Sequence, residues 1–200
     1  MKNAIVMTAV AGIASAAAAQ SGSFSIVPSV STIDSSVSTN FTLSVYGDAD
    51  FGTHIAGGEF ALSATGGSMV NGMTGATAAW GALGLNDRGH TGGGNHAGLV
   101  FGQLIFPPFI DPDAASALPG PVLLGIISVS IDANSTGVIN WTTAAGQGTF
   151  ELEIYDSSNE SFTQLVGVGA GNATVNVVVP APSALALLGL GGLVAGRRRR

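Results

Sequence analysis

One glycine-rich stretch gathers most of the side chains in this sequence that could take part in chemistry. Residues 86–98, which read NDRGHTGGGNHAG, contain Asp87, His90 and His96. Two imidazoles and a carboxylate form a donor set that binds zinc or a similar ion. Their spacing matches no recognised ligand signature, and the glycines would leave such a site loosely held. The plainest interpretation is a solvated loop with incidental histidines, and a metal site or a metal-dependent catalytic centre are the alternatives.

Two pairs of aspartates offer a second kind of metal site. Asp48 and Asp50 are separated by one residue, as are Asp111 and Asp113, and both pairs fall in predicted loops. Carboxylates from neighbouring loops could coordinate calcium. Neither pair belongs to an EF-hand pattern, and aspartates are common in turns because they bond to their own backbone. The sequence therefore establishes no cofactor, with calcium and zinc left open.

The sequence lacks the signatures of the common hydrolases and nucleotide-binding enzymes. It has no G-x-S-x-G elbow, no H-E-x-x-H helix and no cysteine nucleophile. A phosphate-binding P-loop needs a lysine, and the single lysine is Lys2 at the very start of the chain. We therefore expect a protein that is not an enzyme.

The charge of the central region argues against nucleic acid as a partner. All twelve acidic residues lie between residues 20 and 179, where Arg88 is the one basic residue, so this region carries a net charge of −11. A polyanion is repelled by such a surface. Nucleic-acid binding is excluded on this ground.

The elements that must position these side chains are short strands. Nine segments, most of them alternating between apolar and polar residues, are separated by clusters of turn residues, which is typical of an antiparallel β-sandwich. The predicted strands span residues 23–27, 40–47, 58–65, 96–106, 121–132, 137–143, 149–156, 162–168 and 173–179. Residues 74–85 are alanine-rich and predict a short helix or a packed loop, and the rest of 69–95 is too rich in glycine for an assignment.

The N-terminal end has the pattern of a secretory signal peptide over residues 1–19. A short charged start precedes an apolar run at 4–13, and small residues follow. Ala17 and Ala19 form an A-x-A site, which predicts cleavage before Gln20. The domain that follows is expected to work outside the cytoplasm.

The C-terminal end, residues 180–200, predicts a membrane segment. Its three parts are a proline motif (with Val179 before it) of Pro180, Ala181, Pro182 and Ser183, an apolar run at 184–196, and a cluster of Arg197, Arg198, Arg199 and Arg200. A helix from Ala181 through the apolar run would reach about 24 Å, which spans a hydrocarbon core of about 30 Å only marginally. The arginines then act as a stop, because positive charge is retained inside.

Taken together, the two ends resemble the PEP-CTERM family of exported proteins. Its members carry a signal peptide, a variable extracellular region, a Pro-Glu-Pro type motif, an apolar helix and an arginine cluster. Here Ala181 stands where the family has glutamate. The resemblance implies a bacterial-type protein that uses the export machinery and an exosortase-like processing enzyme, and that is anchored in the membrane transiently or permanently.

The middle of the chain resembles the opening of cohesin-type sandwiches. The resemblance lies in two alternating segments, 40–47 and 58–65. The expected fold is thus all-β, an antiparallel β-sandwich of immunoglobulin or cohesin-like jelly-roll type over residues 20–179. An N-terminal signal helix and a C-terminal transmembrane helix flank it.

Three function classes follow from these features. The preferred one is a non-catalytic structural or adhesive protein of the cell surface or extracellular matrix, in contact with exopolysaccharide. The second is a binding module for a carbohydrate or a protein, which exposed aromatic rings among Tyr46, Trp141 and Tyr155 would favour, although a buried Trp141 is more usual in a sandwich. The third is a secreted metal-dependent hydrolase that uses the histidine-containing loop.

Overall fold

The computed structural model describes residues 21–49, 54–77, 86–102, 121–156 and 161–180. The predicted signal peptide, the apolar run at 184–196 and the arginine cluster lie outside these residues, as do Asp50, Asp111 and Asp113. Within them the chain forms strands and one short 3-10 helix, Gly67–Met69. This described part has no helix with the length and hydropathy that a membrane crossing requires.

Thirteen strands are formed by the described residues. In chain order they are β1 (Gly22–Pro28), β2 (Thr32–Asp34), β3 (Asn40–Ala49), β4 (His54–Thr65), β5 (Val70–Thr77), β6 (Asn86–Asp87), β7 (His90–Gly92), β8 (Asn95–Gly102), β9 (Val122–Ile131), β10 (Gly137–Ala145), β11 (Leu152–Asp156), β12 (Ser161–Leu165) and β13 (Asn172–Val178). All nine predicted strands are present, with shifts at their ends. The all-β prediction is confirmed.

The strands form two sheets. The first has four strands in the order β1-β3-β9-β5, and the second has nine, with β12-β11-β4-β10-β13-β2 as its main path and β8 joining β4 to β6 and β7. Every named pair is antiparallel except β13 with β2. Strands β10 and β11 pair in succession with β4, and residues 146–151 leave the ladder between them.

The core lies between the inner faces of the two sheets. Every second residue of a strand points into this core, as strand β3 shows: its alternate residues Phe41, Leu43 and Val45 are buried. Phe60 and Trp141 come from the second sheet and are fully buried. The ring of Phe41 meets that of Trp141 edge-on, at 5.8 Å between ring centres. Apolar burial of this extent is the main driving force for such a sandwich.

The glycine-rich region differs from its sequence-based description. Residues 74–77 lie in strand β5 rather than in a helix, and β5 pairs along its length with β9. Glycine disfavours a strand taken alone, but a Cβ at Gly75 would lie 2.8 Å from Leu99. Close packing across the sandwich therefore selects glycine here, and tertiary contacts override the local preference.

Candidate functional site

The stretch 86–98 is a set of paired strands rather than a loose loop. Strands β6 and β7 both pair with β8, so the segment folds back on itself. Three successive glycines, Gly92, Gly93 and Gly94, make the turn with φ angles of 96°, 60° and 80°. These angles suit glycine because it has no Cβ. The segment is therefore a set of hydrogen-bonded strands and not the solvated loop expected from its glycines.

The turn is fastened to the body of the sandwich by two long-range hydrogen bonds. The indole Nε1 of Trp141 donates to the carbonyl oxygen of Gly94 at 3.0 Å. The backbone N–H of Ala64 donates to the side-chain oxygen of Asn95 at 2.8 Å. The buried tryptophan thus has a partner for its polar edge, and the turn is held in one place.

Asp87 joins the two sheets. One carboxylate oxygen, Oδ2, accepts from the backbone N–H of Gly75 at 2.7 Å, and Gly75 belongs to β5 of the four-stranded sheet. The other, Oδ1, accepts from the backbone N–H of Gly89 at 2.9 Å. The same Oδ1 lies 2.7 Å from Nε2 of His96, whose side chain is fully buried. Both oxygens are therefore occupied by contacts within the protein.

These contacts set the ionisation of the pair. Burial raises the pKa of Asp87, but the hydrogen bonds from Gly75, Gly89 and His96 outweigh it and lower that pKa below its usual range. Burial lowers the pKa of His96, against the opposing effect of Asp87. At neutral pH the pair is therefore a carboxylate beside a neutral imidazole.

A second polar contact, which sequence reasoning missed, lies nearby. Glu59 of β4 is a buried acid whose side chain is only 4% exposed. Arg88, the one arginine between residues 20 and 179, donates two hydrogen bonds to this carboxylate: Nε to Oε1 at 2.6 Å and Nη2 to Oε2 at 3.2 Å. The backbone N–H of Gln147 adds a third donor to Oε1 at 3.1 Å. A bidentate arginine–carboxylate contact of this kind is a strong form of ion pair.

Three glycines provide the space that the Glu59 carboxylate occupies. A Cβ on Gly98 or Gly146 would collide with the glutamate, and one on Gly148 would lie 2.9 Å from its Oε2. Gly146 and Gly148 lie in the segment 146–151 that leaves the ladder between β10 and β11. That segment is folded over the carboxylate.

The pKa of Glu59 reflects this enclosure. Burial raises it, but the hydrogen bond from Arg88, the backbone bond from Gln147 and the positive charge of Arg88 together lower it. Glu59 is therefore ionised at neutral pH and is a partner of Arg88, not a proton donor for a reaction.

The other predicted site residues are separated in the structure. Among the residues described, no group of three or more histidine, aspartate or glutamate side chains is placed to hold a metal ion. Asp48, of the first aspartate pair, is half-buried near the end of β3. Trp141 and Tyr155 are buried and Tyr46 is half-buried, so these rings do not form the exposed aromatic face that a carbohydrate module was expected to show.

Comparison with solved structures places the fold. The chain is similar to the seventh ScaB type I cohesin from Pseudobacteroides cellulosolvens, with a TM-score of 0.50 and 10% identity over 80% of this chain and 95% of that one. A type II cohesin domain from the cellulosome of Acetivibrio cellulolyticus gives a TM-score of 0.44, with 11% identity over 78% of this chain and 95% of that one. No family model and no curated protein matches the sequence. The first similarity defines a cohesin-like sandwich and confirms the resemblance seen in the middle of the chain.

The glycine enclosure of Glu59 leads to a stability prediction. We expect Gly146→Ala to lower the free energy of unfolding by about 1–3 kcal/mol, because its Cβ would collide with the held glutamate. Gly102→Ala is the control, since its Cβ would meet other atoms only at 3.7 Å, and its effect should be small. Urea unfolding followed by tryptophan fluorescence measures both.

A double-mutant cycle with Glu59→Ala identifies the cause of that loss. Shortening Glu59 removes the colliding atoms, so Gly146→Ala should cost much less in that background. An equal cost with and without the glutamate would show that the glycine is required for another reason.

The lowered pKa of Glu59 predicts a dependence of stability on pH. The ionised form of Glu59 stabilises the fold, and this contribution is complete at pH values above the unfolded-state pKa of about 4.5. It is lost as the pH falls from that value through the lower pKa of the folded state. Glu59→Gln, which cannot ionise, should show a shallower loss of unfolding free energy in this range. Parallel curves for the two proteins would contradict the assignment.

Proposed function

We propose that this chain is an exported, bacterial-type protein of the cell surface or extracellular matrix, with a non-catalytic structural or adhesive role. The observation that carries the proposal is the use of its charged groups. Asp87, Glu59 and Arg88 are all occupied in bonds that hold strands to one another. A catalytic acid or base must be free to act on a substrate, and the carboxylates of Asp87 and Glu59 are not, so the contacts at this site support a structural role for it.

The position of the domain end supports a separate sorting tail. The last strand, β13, ends at Val178, and the proline motif begins directly after it. Val179 is half-buried and Pro180 is exposed. Pro180 is exposed where the described sandwich ends, which supports access to the motif at this point by a processing enzyme of the exosortase type; the apolar run at 184–196 is the segment that we propose for the membrane.

Mass spectrometry of the intact protein and its terminal peptides, isolated from its native host, tests the sorting proposal. We expect a species that starts at Gln20 and ends within residues 180–183. A species that begins at Gln20 and still carries Arg200 would show a plain membrane anchor instead. A species that still carries Met1 would contradict export.

A groove on the outer face of the four-stranded sheet favours a second function, the binding of carbohydrate. It has a volume of about 390 Å³. Across three strands its residues form two rows, Thr42, Ser128 and Thr74 in one and Asn40, Ser130 and Gly72 in the other, and Phe41 and Val129 complete the lining. The lining includes no charged side chain.

This lining suits a neutral, hydroxyl-rich ligand. Hydroxyl and amide groups both donate and accept hydrogen bonds, as sugar hydroxyls do. Within each row, groups on neighbouring strands lie about 4.8 Å apart, so one extended chain could contact several of them. A neutral stretch of exopolysaccharide is the ligand that we propose for this groove.

Substitutions on the two sheets test the groove. Ser128→Lys and Thr74→Lys each place a long charged chain among exposed hydroxyls, and we expect affinity for purified host exopolysaccharide to fall about tenfold or more. Thr174→Lys, on an exposed position of β13 in the other sheet, is the matched control. Equal binding by all three variants, or none by the unmodified protein, would reject the groove.

A further inference from the structure

We propose that His90 and His96 form a two-histidine site for a divalent transition-metal ion, with Asp87 as the residue that orients His96. The proposal rests on a cross-strand pair of imidazoles, each with a buried ring nitrogen that has no partner. It differs from the sequence-based expectation, in which Asp87 was itself a ligand. It does not depend on the proposed surface function.

The pairing of β7 with β8 brings the two histidines together. His90 and His96 are direct partners in the antiparallel register. Residues opposite each other in such a pair point to the same face, with Cβ atoms about 4.5–5.5 Å apart. Two imidazoles in this arrangement can share one ion.

Each ring has an unused nitrogen that is shielded from water. Nδ1 of His96 and Nε2 of His90 are buried and have no hydrogen-bond partner. An unpaired buried polar atom costs free energy, so its presence in a native structure calls for an explanation such as a bound ion. Here two such atoms occur on directly paired residues.

Asp87 determines which nitrogen of His96 is available. Its carboxylate already accepts from two backbone N–H groups, so it is a pure acceptor toward the ring. Nε2 of His96, at 2.7 Å from Oδ1, therefore carries the proton. In a neutral ring this leaves the lone pair on Nδ1. Metal-binding histidines commonly donate their other N–H to a carboxylate in this way.

The donor atoms define the class of ion. Imidazole nitrogen suits Zn²⁺, Cu²⁺ and Ni²⁺, whereas calcium takes oxygen ligands. Two protein ligands leave the remaining positions for water. Both donor nitrogens are buried in the metal-free structure, but His90 as a whole is only half-buried, so a turn of its ring would let an ion and its waters reach them.

Titration of the metal-free, full-length protein tests the site. We expect one equivalent of Zn²⁺ to bind by isothermal titration calorimetry and to raise the midpoint of thermal unfolding. His90→Ala should abolish both effects. His54→Ala removes the remaining histidine of the chain and is the control, which should bind as the unmodified protein does.

Two further measurements separate ligation from a structural effect. Asp87→Asn should weaken Zn²⁺ binding about 10–100-fold without abolishing it, which is the usual result when an orienting partner is removed. Electron paramagnetic resonance of the Cu²⁺ form of the unmodified protein should show two coupled nitrogens, and this measurement needs no variant.

The proposal is overturned by any of three results. The first is no stoichiometric Zn²⁺ binding by the unmodified protein. The second is undiminished binding by His90→Ala. The third is a Cu²⁺ spectrum with oxygen ligands only, which would place the copper away from the two imidazoles.

Discussion

The backbone N–H of Gly75 donates a hydrogen bond to the carboxylate of Asp87 and so ties the edge of the four-stranded sheet to the other sheet. Strand β5 is an edge strand of the four-stranded sheet, and its outward N–H groups would otherwise be free to pair with another chain. A carboxylate that accepts one of them protects the edge and also fixes β6 against it. The same carboxylate contacts Nε2 of His96 on β8, a strand that pairs with both β4 and β7, so one side chain links the edge of the first sheet to the second.

The region between residues 20 and 179 has one basic residue, Arg88, and can therefore form very few ion pairs with its acids. Arg88 follows Asp87 in sequence, yet the two side chains form their bonds with different sheets. Asp87 reaches the opposite sheet, and Arg88 reaches Glu59 on β4. Asp87 ends β6 and Arg88 follows it directly, so this one short segment makes both contacts. The glycines around Glu59 are the steric requirement for placing that carboxylate inside the fold.

Alternation of apolar and polar residues was enough to predict the sandwich, because strands such as β3 and β13 bury every second side chain. The same rule failed for β5, where close packing requires glycine. It also gave no sign of Glu59, since alternation placed that residue on the outer face of β4. The segment that covers it, residues 146–151, comes from a distant part of the chain. The pairing of His90 with His96 depends on the register of the turn, which the spacing of histidines does not reveal.

The parallel pairing of β2 with β13 has a mechanical consequence. The two strands are far apart in sequence but are neighbours in the second sheet, paired from Thr32 to Asp34. A pull on the start of β2 and the end of β13 would load these bonds together in shear, rather than opening them one at a time. Antiparallel terminal strands pulled from adjacent ends would peel apart in sequence. Tension applied across this pair therefore meets all of its hydrogen bonds at once, which antiparallel neighbours pulled from adjacent ends do not offer.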